Sequence, residues 1–322
     1  MSKPLNLIKW VAAAGLAWGL GYAYNVYYGG DLSWLRIMYT EKVALAKKVE
    51  GPRRLIITGG SGAHYTINSE LLEKELGLPV FNLGIDGPVG LDVILPSVLK
   101  QVQPGDIVLL IPEYLIILDE DGLGDRSGPF MIATGQLGIT DIPPKQLAQD
   151  IWMQGIPSLR ALTKSSFDLV KKGRFTGYYS DPITKRGDPT VVKERTGEWW
   201  KMQFKKSISP HAIKRIKKFR KELEAKDADL VLSLPWVYAK TDNKTLKNVK
   251  KTAAELEKIA PLIYNPENYN VQSDPDLFAD THYHLKLDSM KVRSRQIVEE
   301  IEPILEELGN GEQETGNGEG DK

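Results

Sequence analysis

Asp280, His282 and His284 fall in one short stretch, DTHYHLKLD, of a chain that has only four histidines. A carboxylate four positions before an imidazole shares a helix face with it. There it can hold the tautomer, leaving the other ring nitrogen to take a proton. A metal reading also fits, because His-x-His presents two imidazoles on one strand face. It needs further ligands, and only His64 and His211 remain beside the acidic residues. The first reading requires a nucleophile, and Ser61 is the candidate. In LIITGGSGAHY it follows an apolar β-type run, at the edge where ligands bind in open α/β sheets. Gly59, Gly60 and Gly62 let the backbone turn sharply there. Ala63 breaks the G-x-S-x-G elbow, and the P-loop lysine is absent. Alone, such a turn also fits a plain loop or a phosphate nest.

The elements that must position these residues follow from periodicity. After the RRLIITGG strand, INSELLEKELGL reads as a helix with Asn68 or Ser69 as N-cap and Gly77 as its stop. PVFNLGIDG is a second strand and turn, which brings Asn82, Gly84 and Gly87 to the same edge as Ser61. LDVILPSVLKQV is helical despite Pro96, and PGDIVLLIPEYLIIL is a third strand ending at Glu113 and Tyr114. Three strand–helix units in succession imply a parallel sheet with crossover helices. From about 120 to 200 the rhythm breaks, and scattered aromatics (Phe130, Trp152, Phe167, Tyr178, Tyr179, Trp199, Trp200) suggest an insertion over the sheet. They are expected to form a small core there, with stacking on sugar rings as the alternative. The rhythm resumes with a helix from 210, a strand over 230–234, another helix, a short strand in PLIYNPENY, and a last helix over about 287–307. Residues 309–322 are Gly-rich and polar and read as a disordered tail.

TGGSGAHYTINSELLEKELGLPVFNLGIDG resembles the first two blocks of the SGNH (GDSL-like) hydrolase superfamily, in its membrane-associated bacterial subgroup. PGDIVLLIPEY resembles the third strand of that subgroup, and FADTHYHLKLDSMKVRSRQI its final block. The resemblance implies a three-layer, parallel-sheet, flavodoxin-like α/β domain over residues 51–308. It makes Ser61 the nucleophile, His284 the base, Asp280 its orienter, and the N–H groups of Ser61 and Gly87 the oxyanion hole. Asn82, Gly84, Glu113, Tyr114 and His64 are candidates for substrate contact. The chain departs from the pattern at Pro112-Glu113-Tyr114, where the third block usually supplies an asparagine to the oxyanion hole. It departs again at Lys286 and Ser289, and in spacing the acid four residues before the histidine rather than three. The activity implied is a serine esterase or O-acyltransferase on a cell-surface polysaccharide, needing neither metal nor cofactor. A membrane-bound acyltransferase is the implied partner. The alternative is a non-catalytic subunit of an envelope polysaccharide assembly.

Composition narrows the remaining choices. Acidic and basic residues balance at 42 each among 322, so no net field favours nucleic acid. KRIKKFRK has helical spacing without interleaved aromatics and reads as a solvated face. The absence of cysteine removes disulfides and thiolate chemistry. Residues 10–28, WVAAAGLAWGLGYAYNVYY, are uncharged and follow Lys3 and Lys9. As a helix they would rise roughly 28 Å, about one hydrocarbon thickness. Aromatic residues at both ends match membrane-interface belts, and the early lysines place the N-terminus in the cytoplasm. The expectation is a single-pass anchor within residues 1–30, a juxtamembrane helix over 31–50, and a domain on the extracytoplasmic side. A cleaved signal peptide, disfavoured by the bulky tyrosines, and a buried helix are the rival readings.

Overall fold

The computed structural model describes residues 3–136, 142–173, 182–197 and 199–316. Five apolar runs pair as a parallel sheet: β1 (Leu55–Gly59), β2 (Val80–Asn82), β3 (Ile107–Ile111), β4 (Asp229–Ser233) and β6 (Leu262–Ile263), in the order β2-β1-β3-β4-β6. β1 and β3 are buried along their whole length, as strands covered on both faces must be. Alternate residues face opposite helical layers. Ile56, Val108, Leu110 and Leu232 pack with α2 (Asp31–Ala46), α5 (Leu91–Leu99), α10 (Pro210–Glu224) and α11 (Asn243–Glu257). Leu55, Ile57, Leu109 and Val231 face α4 (Ser69–Leu76) and α12 (Leu287–Gly316). The expected layered α/β fold with its parallel sheet is therefore present. A two-stranded parallel ribbon, β5 (Val237–Tyr238) with β7 (Val271–Gln272), lies apart from the main sheet.

Local signals set the helix ends. The Asn68 side chain accepts the Leu71 N–H at 2.9 Å, and Gly77 ends α4 at φ 68°, where a side chain would be strained. Ser209 and Asp242 cap α10 and α11 in the same way. α12 runs to Gly316, so it takes in residues expected to belong to the tail and continues past the expected end at 307.

At the N-terminus part of the apolar run packs on the domain. α1 (Lys3–Ala23) passes into a π-helical turn, Tyr24–Tyr28, in which Asn25 and Val26 are buried. The Asn25 amide donates to the Gln154 carbonyl at 2.7 Å, so the end of the expected 10–28 span belongs to the folded domain. Asn25, the tyrosines and the glycines also dilute the apolar run. No helix among the described residues is long and apolar enough to cross a membrane. Residues 31–50 do not form a separate stem: α2 buries Leu32, Leu35 and Met38, and even Lys42, in the domain core.

Arg54, at the entrance to β1, is 1 % exposed and grips Asp106 through Nε (2.8 Å) and Nη2 (2.6 Å) while donating to the Ala46, Val49 and Gln101 carbonyls. It ties α2, β1 and the approach to β3 together. Removing one partner leaves the other charge buried and uncompensated. Arg54→Ala is therefore expected to cost about 3–5 kcal/mol in urea unfolding. A loss below 1 kcal/mol would show that water reaches the orphaned Asp106.

The insertion holds α7 (Ser127–Thr134), α8 (Pro144–Gln154) and α9 (Leu159–Lys172). Of its aromatics, Phe130 enters the main core, whereas Trp152, Phe167 and Trp200 are exposed. The expected small aromatic core does not form from them, and Tyr178 and Tyr179 lie outside the described residues.

Candidate active site

Strand register builds this site. Gly59 at the end of β1 pairs with Ile111 at the end of β3, so Ser61 and Glu113, each two residues further on, emerge level with one another. β2 lies on one side of β1 and β3 on the other, which makes this the point where connections diverge and a crevice opens. Ser61 starts a short helix, α3 (Ser61–His64), on the crevice floor. Its hydroxyl donates to Glu113 Oε1 at 2.8 Å, and the Gly62 N–H donates to the same oxygen. Glycine is required around this carboxylate. A Cβ on Gly60 would lie 2.5 Å from Glu113 Oε2, and one on Gly62 2.7 Å from its Cγ. Gly87 packs against Oε2 as well. Among the described residues, no hydrogen bond is made by the amides of Ser61 or Gly87.

His284 reaches the crevice from the far end of the chain. Its segment is a turn, so the shared helix face is not what joins Asp280 to His284. The Ala279 N–H donates to the His284 carbonyl at 2.8 Å, and Thr281 Oγ1 accepts the His284 N–H at 3.0 Å. That tight turn brings His284 Nδ1 within 2.7 Å of Asp280 Oδ1. The Leu285 N–H donates to the Tyr65 carbonyl at 3.0 Å, which fastens the turn to the end of α3. The Tyr65 ring then lies 4.2 Å from the imidazole, between centroids. His284 Nε2 is buried with no hydrogen-bond partner among the described residues. Ser61, Asp280 and His284 thus line one cleft of about 300 Å³, with Asp86, Arg126, Lys193 and Leu115 also on its walls. No hydrogen bond joins Ser61 to His284, because the hydroxyl is engaged by Glu113.

The electrostatics follow from this burial. Burial pushes the Glu113 carboxyl up from its ordinary range, against the hydrogen bonds from Ser61 and Gly62 and the charge of His284. Asp86 is also raised by burial, although Arg126 at 2.6 Å opposes the shift. Burial acts on Asp280 in the same direction, but there the His284 hydrogen bond and the charges of His284 and Lys193 prevail and hold it below the usual value. The Asp280–His284 pair is therefore the ionised carboxylate with imidazole that general-base chemistry needs.

Other candidates have structural roles. Asn82 is fully buried: its Oδ1 accepts the Gly84 N–H at 2.8 Å, and its Nδ2 donates to Asp188 and to the Ala63 and His64 carbonyls. Gly84 sits against the backbone of His64. His64 is sealed behind Tyr65 with Lys42 Nζ 2.9 Å from its Nδ1. Burial, then the charges of Lys42 and His284, holds His64 neutral. Burial likewise lowers Lys42 to about 7, partly offset by Asp188. Tyr114 is buried against Phe204. None of these four candidates, nor Lys42, lines the cleft. His282 Nε2–H donates to the Trp200 carbonyl at 2.8 Å, and the ring packs beside Trp199. Among the described residues, no group of three His, Asp or Glu side chains could hold a metal ion. Trp34, Asp86, Arg126 and Lys193 escaped sequence reasoning. Only Asp86, inside NLGIDG, stood beside a recognisable signal. A cavity of about 380 Å³ between α5 and α10 is larger; Asp92, Arg215, Lys218 and Glu222 line it, and the Ser97 hydroxyl on its wall is spent on the Ile94 carbonyl at 2.7 Å.

No family model matches the chain, and no curated protein matches it. Among solved structures, the crystal structure of protein YxiM from Bacillus subtilis aligns with a TM-score of 0.35 and 13 % identity. The alignment covers 79 % of this chain and 57 % of YxiM, so the chain spans a little over half of that protein's length.

Proposed function

We propose that this chain is an SGNH-type serine esterase or O-acyltransferase. The observation that carries the reading is the convergence of Ser61, His284 and Asp280 on one cleft from opposite ends of the chain, with the imidazole already held at 2.7 Å by its carboxylate. In this reading the Ser61 hydroxyl turns from Glu113 toward His284 Nε2 when an ester enters. Its proton passes to that nitrogen as Oγ bonds to the carbonyl carbon. The Ser61 and Gly87 amides hold the oxyanion. His284 then returns the proton to the departing alkoxide, leaving an acyl-enzyme that water or a sugar hydroxyl resolves. The family resemblance extends the proposal to acylated envelope polysaccharide as substrate and to a membrane-bound acyltransferase as partner. A second reading, a non-catalytic subunit of the same fold, is favoured by one observation: Ser61 is bonded to Glu113, and not to His284.

Glu113 separates these readings. In its neutral form it would keep Oε1 as acceptor for Ser61 and Gly62 and present a donor at Oε2 beside Gly87, in place of the third-block asparagine. Glutamine reproduces that pattern and alanine does not. Hydrolysis of a short aryl ester is expected to stay within about tenfold in Glu113→Gln and to fall about 10²–10³-fold in Glu113→Ala, the usual cost of an oxyanion donor. Equal losses in both would make Glu113 an ionised base instead. The raised carboxyl also has a stability consequence. Between the ordinary value, 4.5, and the higher folded value, the native state binds more protons than the unfolded one. Stability therefore declines as pH rises through that window. Urea unfolding at several pH values should show a shallower decline in Glu113→Gln, and an unchanged slope would contradict the assignment.

A further inference from the structure

Helix α9 is built inside out. The residues it turns toward the protein are small or polar: Ala161, Ser165 and Asp168 are buried, and Ser165 Oγ lies 2.6 Å from the Tyr24 hydroxyl. Its large apolar residues face outward, with Leu159 80 %, Phe167 62 % and Val170 89 % exposed. A helix on a water-facing surface places these groups the other way round. The end of α8 continues the surface through Trp152 and Met153, and Ile156 follows in the connection. α1 joins it at its base. Trp18 stacks on Trp152 with centroids 6.3 Å apart and donates to the Trp152 carbonyl at 2.9 Å. Gly21 lies directly on the Gly155 backbone, where a side chain would separate the two elements. Above this junction α1 exposes Leu7, Trp10, Val11 and Leu16. Exposed apolar side chains therefore stand on α1, α8 and α9, which meet at Trp18–Trp152 and, in the π-helical turn after α1, at Tyr24–Ser165.

Its charge identifies what covers it. α1 carries two lysines and no acid, and α9 carries three lysines and an arginine against Asp168 alone. Lys171 Nζ lies over the exposed Phe167 ring, 5.5 Å from its centroid, so a cation sits directly beside the apolar groups. Apolar side chains ringed by lysine suit the boundary between acyl chains and anionic headgroups, where such helices bury their apolar face by roughly 5–10 Å. A cavity of about 230 Å³ lined by Asn25, Leu32, Met153, Ile156 and Arg126 lies behind the surface, and Arg126 also lines the Ser61 cleft.

We propose that α8, α9 and the base of α1 form a collar that docks into the interfacial layer of an anionic bilayer, with the Ser61 cleft opening beside it. The collar stands on its own surface chemistry and is independent of any reaction at Ser61. Full-length protein mixed with vesicles of phosphatidylcholine and phosphatidylglycerol in equal parts is expected to float with them. Binding should weaken on pure phosphatidylcholine and in high salt. The Leu159→Glu/Phe167→Glu/Val170→Glu variant, which changes only exposed positions, is expected to lose at least about tenfold in partitioning while α1 is kept intact. The chain has no cysteine, so Val170→Cys carries a single environment-sensitive dye. Its emission is expected to shift to the blue on anionic vesicles, whatever the fate of the triple variant. Three outcomes would overturn the collar: equal partitioning of the triple variant, an unshifted dye, or a lipid-free dimer that the triple variant dissolves without change in vesicle binding.

Discussion

His284→Ala is expected to lower turnover of an ester substrate by about 10⁶-fold, as loss of a serine enzyme's base does elsewhere. The size of this effect comes from the lack of a substitute within the cleft. The Asp280 carboxylate is occupied by His284 itself, and Asp86 is paired with Arg126 at 2.6 Å. Glu113 accepts from the Ser61 hydroxyl, and burial shifts its carboxyl toward the neutral form, in which it takes up no further proton. A buried imidazole nitrogen without a partner is what a proton acceptor awaiting its donor requires. Steady-state assay of the purified variant is the check. A loss below about 100-fold would transfer the base role to Glu113, because His284 would then contribute no more than local polarity.

Asp280→Asn is expected to cost about 10⁴-fold in kcat with little change in protein stability. Asp280 stands behind the imidazole, where it can accept a hydrogen bond from Nδ1–H and so leave Nε2 free to take a proton. An asparagine amide at 2.7 Å can offer N–H to Nδ1 and so select the opposite tautomer. The substitution is nearly isosteric, and the turn that carries it is held by main-chain bonds and by Thr281, which stay intact. Stopped-flow detection of the acyl-enzyme would place the loss in the acylation step. An Asp280→Asn protein that retains more than a tenth of the activity would show that His284 takes its tautomer from other neighbours.

Much of this arrangement was legible in the sequence for simple physical reasons. Strands buried on both faces are continuous apolar runs, so LIITG and IVLLI announced themselves, and two such strands in register carry whatever follows them to the same level. That Ser61, Asp280 and His284 share a cleft could be suspected because Ser61 follows a buried strand and this chain has few histidines. What the sequence hid depends on packing. Lys42 sits in a run that reads as an amphipathic helix with a charged face, and nothing local reveals that its amine is buried against His64 and the Gly84 carbonyl. The apolar run 10–28 matched a membrane span in length, yet Asn25 finds a carbonyl partner in the insertion. The Asp280–His284 contact is made by a turn, because the Leu285 N–H is drawn to Tyr65 across more than two hundred residues. Glu113 followed a strand and so was a candidate, but its hold on Ser61 depends on the space left by Gly60, Gly62 and Gly87.

Covalent labelling of the full-length protein by a fluorophosphonate tests the central claim most directly. The reagent reacts with a serine only where the hydroxyl is activated and an oxyanion can be held. Labelling at Ser61 is expected in the unmodified chain and absent in both Ser61→Ala and His284→Ala, with the adduct located by peptide mass spectrometry. A folded, unmodified chain that takes up no label, or one that labels equally after His284→Ala, would contradict a Ser61–His284–Asp280 acyl-transfer site.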